Sequence, residues 1–157
     1  LNIDYRHFDQ LNITPRYEIG IKLSYTNFTF KDLSIQGKPS AGPATGPIAP
    51  GGPADLFDTV ATVTATIHNT GGVAGAEVPQ LYIGYPKSTN SAPKQLRGFT
   101  KLKLNAGAKG VATFQLRRRD LSYFDESTMK WTVASGDYQV FVGASSRDIR
   151  LTGKITV

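Results

Sequence analysis

The chain has 157 residues, a mass of 17.0 kDa and no cysteine, which excludes disulfides, thiolate metal sites and thiol catalysis together. Its apolar fraction of 39% and charged fraction of 19% are those of a globular domain that buries a core without crosslinks. A formal charge of +6 raises nucleic acid as a partner, and the absence of any run near the roughly 20 apolar residues of a membrane span predicts a soluble protein with no membrane partner.

Residues 1–24 carry Tyr5, His7, Phe8, Tyr17 and Ile19 with no clean period. They read as an irregular arm that packs on something outside the main core, because that much aromatic surface is unfavourable in water. The opening Leu1-Asn2-Ile3-Asp4 has no initiator Met and no signal-peptide pattern, so a piece of a longer chain is expected. Alternation starts at 25–35, where Phe28 and Phe30 face one way and Asn27 and Thr29 the other. Residues 37–53 then hold ten Gly or Pro in seventeen positions, a loop with no apolar face that cannot be a core strand.

From Phe57 onward period 2 dominates. Phe57, Ala61, Val63, Ala65 and Ile67 alternate with Thr62, Thr64, Thr66 and His68, and Asn69-Thr70-Gly71-Gly72 marks a turn. Val78–Tyr85 places Leu81, Ile83 and Tyr85 together, and Phe99–Leu104 sets Leu102 and Leu104 opposite Lys101 and Lys103. Further strands follow at 111–116, around Tyr138, Val140 and Val142, and at 149–157. Only Arg119–Phe124 offers a helical turn. Short strands punctuated by Gly, Asn and Pro predict an all-β antiparallel sandwich over 25–157, of the immunoglobulin or fibronectin type III kind.

Chemistry is sparse. The twelve Asp and Glu fall mostly in turns, adjacent pairs such as Asp125-Glu126 diverge on an extended backbone, and Glu18 and Glu77 stand alone. His7 and His68 have no second His or Cys at metal spacing. Ser24 and Ser145-Ser146 lack a nucleophile elbow, and no glycine cluster precedes a helix as a phosphate loop would. No catalytic residue, metal or cofactor is expected. Arg117-Arg118-Arg119, closed by Asp120, reads as a solvated turn, so no nucleic-acid partner is expected either. Trp131, Tyr82, Tyr85 and Tyr123 are the candidates for stacking on a carbohydrate or polymer, against packing in the core. Tyr138, entering a strand after Gly136-Asp137, resembles the tyrosine corner of sandwich domains. Asn12-Ile13-Thr14 and Asn27-Phe28-Thr29 are glycosylation sequons if the protein is secreted, with Asn27 the better placed.

The stretch Asn12-Ile13-Thr14-Pro15-Arg16-Tyr17-Glu18-Ile19-Gly20, continuing to Leu23-Ser24-Tyr25-Thr26, resembles the entry to the last domain of family 3 glycoside hydrolases. Gly75–Tyr82, Pro93–Phe99, Arg118–Tyr123 and Val142–Ile149 agree in the same order along nearly the whole chain, while Ile19 and Lys22 depart from the family's usual Phe and Gly. The resemblance is to the C-terminal fibronectin type III-like domain of secreted fungal β-glucosidases. It implies a parent that hydrolyses terminal β-D-glucosyl residues of cello-oligosaccharides with retention. The nucleophilic Asp would lie in an upstream barrel and the acid/base in a following α/β sandwich. This domain would then be non-catalytic, extracellular, and partnered by those upstream domains.

Overall fold

The computed structural model describes residues 2–157. The described chain is all-antiparallel in its strand pairing. After helix α1 (Tyr5–Gln10) come β1 (Phe28–Gly37), β2 (Gly42–Pro43), β3 (Ile48–Ala49), β4 (Gly52–Pro53) and β5 (Thr59–Asn69). Then follow β6 (Gly75–Glu77), β7 (Gln80–Gly84), β8 (Gln95–Phe99), β9 (Leu102–Leu104) and β10 (Lys109–Arg117). Helix α2 (Arg118–Leu121) leads into β11 (Ser122–Asp125), β12 (Lys130–Val133), β13 (Asp137–Gly143) and β14 (Ile149–Thr156). One main sheet runs β1-β5-β10 and the other β14-β13-β7-β8. A smaller sheet, β11-β12-β2, and the pairs β3-β4 and β6-β9 complete the sandwich.

The core is the meeting of inward faces that the period of two defines. Ala61, Val63, Ala65 and Ile67 of β5 are buried, as are Ala112, Phe114 and Leu116 of β10, against Leu81, Ile83, Val140 and Val142. Each fully buried Val or Leu stabilises the fold by about 1.5–3 kcal/mol. Threonines fill the alternate positions of β5, where β-branching suits the strand and the hydroxyl meets partial solvent.

Several boundaries differ from the sequence reading: α1 forms inside the arm read as irregular, and the strand expected over Phe99–Leu104 is divided between the end of β8 and β9, with Thr100 and Lys101 in neither. The first strand begins at Phe28, leaving Tyr25 exposed, because Thr26 instead donates its hydroxyl to Asn69 Oδ1 at 2.6 Å. Within β1 the register slips between Lys31 and Ser34, and Asp32 takes a positive φ of 54°. This bulge turns Leu33 and Ile35 onto the core side that Phe28 and Phe30 occupy. Phe57 ends a 3-10 turn over Ala54–Phe57 and stays out of β5. The helical turn expected at Arg119–Phe124 is shorter and earlier, and Ser122 onward forms β11, whose partner β12 fixes it across a hairpin.

Asn69, expected as a turn residue, is a buried strand end with every side-chain polar atom engaged. Its Nδ2 donates to Val73 O and Leu104 O, and its Oδ1 accepts from Thr26 Oγ1 and Gly71 N. A buried amide satisfied on both sides pins three segments at one point.

The arm is not free of the sandwich. Its α1 carries Tyr5, whose ring stands edge-on to Tyr82 at 5.8 Å and whose oxygen accepts from Leu96 N at 2.7 Å. Asp9 pairs with Lys94 and Arg147, Ser145 Oγ donates to Glu18, Ser146 N donates to Ile19 O, and Lys22 pairs with the buried Glu77. These bonds lay the arm against the sheet containing β7, β8 and β13, which is why both faces of β7 are buried. Yet Leu11, Tyr17, Ile21 and Leu23 of the arm and the adjoining Tyr25 stay exposed.

Candidate functional site: an aromatic and basic cleft

The four stacking candidates part company. Tyr82 is fully buried and bonds Gln80, so it is corrected from binding candidate to packing residue, covered by Tyr5 of the arm. Burial pushes its phenol well above the usual tyrosine range. Tyr85 is half-buried; its hydroxyl donates to Asp120 O at 2.6 Å and accepts from Arg97 Nε at 2.8 Å. Burial, opposed by Arg97, raises its phenol as well. Tyr123 and the exposed Trp131 remain, and both line one cleft of about 340 Å³.

That cleft is assembled from distant parts of the chain. Gly51 comes from the Gly/Pro loop, Phe57 from the 3-10 turn, Gln95 and Arg97 from β8, Arg119 from α2, and Tyr123 and Trp131 from β11 and β12. Phe124 and Trp131 face each other across the β11-β12 ladder, their rings 5.5 Å apart and 71° inclined, which sets the indole's orientation. Gly51 has a positive φ of 98°, and a Cβ there would come within 3.1 Å of the Phe57 ring. Arg119 lies over the Phe57 ring with its guanidinium carbon 5.7 Å from the centroid.

The arginine run at 117–119 is not a uniform solvated turn. Arg117 and Arg119 are exposed, but Arg118 is buried, because its guanidinium donates to the carbonyls of Ser40, Gly42 and Pro43. Asp55, which bonds Thr45 and pairs with Arg118 at 3.5 Å, and Asp120, which accepts from Arg117 N at 2.8 Å, are thereby engaged. No carboxylate lines the cleft. Gln95 and Arg97 escaped the sequence reading because β8 was not recognised as a strand. The signal was there in Gln95-Leu96-Arg97, two polar residues on one face of an alternating pair.

The other candidates take up structural roles. His68 makes a 3.2 Å contact from Nε2 to Gly107 O, and His7 is exposed at the edge of Phe8. Among the described residues no group of His, Cys, Asp or Glu could hold a metal ion, and no helix is long and apolar enough to cross a membrane. Asp125 and Asp148 are held below the usual carboxylate range, the first by hydrogen bonds from Ser127 and Thr128, the second by those from Arg150. Ser145 Oγ accepts from Asp148 N and Arg147 N, a turn rather than a nucleophile. Asn12 and Asn27 are both exposed; Asn12 sits at a positive φ of 51°, and the Asn27 carbonyl accepts from Thr70 N.

Comparison with known proteins agrees with this architecture. The pattern of the fibronectin type III-like domain matches residues 77–146. A probable β-glucosidase L of Emericella nidulans is 61% identical over the whole chain, and a β-glucosidase of Pyricularia oryzae is 58% identical. The chain spans 21% and 22% of those two proteins. The crystal structure of a β-D-glucoside glucohydrolase from Trichoderma reesei superposes with a TM-score of 0.98 at 59% identity, over 100% of this chain and 22% of that one. A glycoside hydrolase family 3 β-glucosidase from Neurospora crassa gives 0.86 at 28% identity, over 98% of this chain and 27% of that one. The two-sheet fold, the buried Tyr138 and this extent of identity make the chain similar to fibronectin type III-like domains and, over its whole length, to about a fifth of these β-glucosidases.

Proposed function

We infer that the chain is the non-catalytic structural domain of a secreted β-glucosidase that releases terminal β-D-glucosyl residues from cello-oligosaccharides, and that it stabilises packing of the catalytic domains. The observation that carries this reading is the exposed apolar surface of the arm. It is fastened to the sandwich through Tyr5, Asp9, Glu18 and Lys22, yet Leu11, Tyr17, Ile21, Leu23 and the adjoining Tyr25 stay exposed. A strip of chain with this much exposed apolar surface is unfavourable in water and suits an interdomain contact. The catalytic domains of the same enzyme are its partner, as expected of a chain covering about a fifth of its relatives.

The test is a Tyr17→Ser/Leu23→Ser double variant of the whole enzyme. The melting temperature should fall by several degrees, while kcat/KM on an aryl β-glucoside at moderate temperature stays within twofold. The 157-residue chain alone should show no turnover. Unchanged melting would remove the packing role, and turnover by the chain that is lost on mutating one of its own carboxylates would overturn the non-catalytic reading.

A further inference from the structure

The cleft around Trp131 has no part in the packing role, since none of its lining residues belongs to the arm. Three of its properties converge. Its volume of about 340 Å³ lies within the usual range for small-ligand pockets, roughly 300–1,000 Å³. Its lining is partly aromatic: Trp131 is 40% exposed although Phe124 braces it edge-on, and Phe57 and Tyr123 also line the cleft. A preset, half-open indole presents the electron-rich face that receives the C–H groups of a flat ligand.

The third property is an excess of positive charge. Arg97 and Arg119 line the cleft, and both continue with Arg117 into an adjoining depression. None of the three forms an ion pair among the described residues. Asp120, the carboxylate in that depression, caps the Arg117 backbone N–H. Arg97 is held by Tyr85 and Gln95 through Nε and Nη2, while its Nη1 makes no hydrogen bond among the described residues. A guanidinium fixed in this way matches a carboxylate with little loss of entropy. Ser91 and Gln95 add neutral hydrogen-bonding groups to the same lining.

We propose that this cleft binds an acidic oligosaccharide, with a uronate ring stacked on Trp131 and its carboxylate held by Arg97 and Arg119. A neutral glucan would use the aromatic lining but leave the arginines unpaired. A simple inorganic anion would leave the indole without a purpose, and the hydroxyl partners Ser91 and Gln95 favour a sugar over a phenolic acid. The proposal is independent of the packing role above, because it concerns different residues and a different readout.

Trp131 is the single tryptophan of the chain, so its fluorescence reports on the cleft directly. Titration of the 157-residue chain with trigalacturonate should shift that fluorescence with a midpoint below 1 mM and weaken as salt is raised. Cellotriose, cinnamate and a short oligothymidylate should each bind at least tenfold more weakly. Arg119→Gln, at an exposed side chain, should weaken trigalacturonate at least tenfold, and Trp131→Ala should abolish binding measured by calorimetry. Equal affinity for cellotriose, stronger binding of the oligothymidylate or of cinnamate, or an unaltered Arg119→Gln variant would each overturn the proposal, as would no binding of trigalacturonate at 1 mM.

Discussion

Arg118 Nη2 donates to the Gly42 carbonyl at 2.9 Å, tying the start of α2 to a loop 76 residues earlier. The same guanidinium reaches Ser40 O and Pro43 O, each at 3.2 Å, while Asp55 lies 3.5 Å from Nε as an ion pair without a hydrogen bond. The Gly/Pro loop offers no apolar face to the core, so a buried side chain has to hold its backbone instead. Two further short pairings, β2 with β12 and β3 with β4, follow from that clasp.

Arg118→Ala is therefore expected to destabilise the chain by about 2 kcal/mol, since three part-buried carbonyls and Asp55 lose a charged partner at once. Arg118→Lys should recover less than half, because an ammonium cannot span carbonyls that a planar fork reaches together. Urea denaturation of the three proteins measures this, and a loss below 1 kcal/mol for Arg118→Ala would remove the clasp from the account.

The clasp also marks where sequence reading stops. Strands β5, β10 and β13 were legible because one face is buried and one wet, so chemistry repeats every second residue. The Gly/Pro loop was legible by composition, but its order was not, since the arginine that holds it is remote in sequence. The arm's aromatic content was legible; the sheet it covers was not, because Tyr5 meets Tyr82 through a contact with no periodic signature. The cleft was half legible. Trp131 and Tyr123 stood out as residue types, whereas Arg97 and Arg119 join them only once β8 and α2 are folded. Arg118 was misread outright, since nothing in a run of three arginines says which one turns inward.

Tyr138 gives a prediction in alkaline solution. Its hydroxyl accepts from Ala134 N at 3.0 Å, donates to Leu121 O at 3.0 Å and lies 3.2 Å from Ala134 O, the back-bonded arrangement of a tyrosine corner. Burial pushes this phenol up to about 12 from an ordinary value of 10.0. The unfolded chain therefore loses the proton first. Its contribution is complete below pH 10 and declines between pH 10 and 12 by about 1.4 kcal/mol per pH unit. Tyr138→Phe should cost about 1–2 kcal/mol at neutral pH and make the alkaline decline shallower. Denaturation midpoints from pH 8 to 11.5 test it, and parallel declines in both proteins would show that another group titrates.

Gly20 supplies a test of the arm's attachment. Its φ is +82°, and a Cβ placed there would lie 2.0 Å from Gln80 Nε2, the amide that donates to Ala144 O. A side chain therefore meets both backbone strain and a buried hydrogen-bonded partner. Gly20→Ala should lift the neighbouring residues and raise amide exchange at Ile19 to Lys22 at least tenfold, while β5 and β10 keep their protection. Hydrogen exchange resolved by residue decides it. Unchanged exchange would mean that the Lys22–Glu77 and Glu18–Ser145 bonds hold the segment without close approach at Gly20.

The two sequons differ in what surrounds them, not in exposure. Asn27 is exposed just before β1, and its backbone is fixed by Thr70, whose N–H and hydroxyl donate to the Asn27 carbonyl at 2.8 and 3.2 Å. A glycan there projects beside a strand end whose core side is carried by Phe28 and Phe30. Asn12 lies between the exposed Leu11 and Ile13, in the apolar strip proposed to meet the catalytic domains. A bulky solvated sugar at that point would have to be accommodated inside the contact. Occupancy is therefore expected at Asn27 ahead of Asn12 if the parent enzyme is secreted as proposed. Glycopeptide mass spectrometry reads both sites in one digest, and sugar on Asn12 with Asn27 bare would place the strip in solvent and take away the interdomain role of that part of the arm.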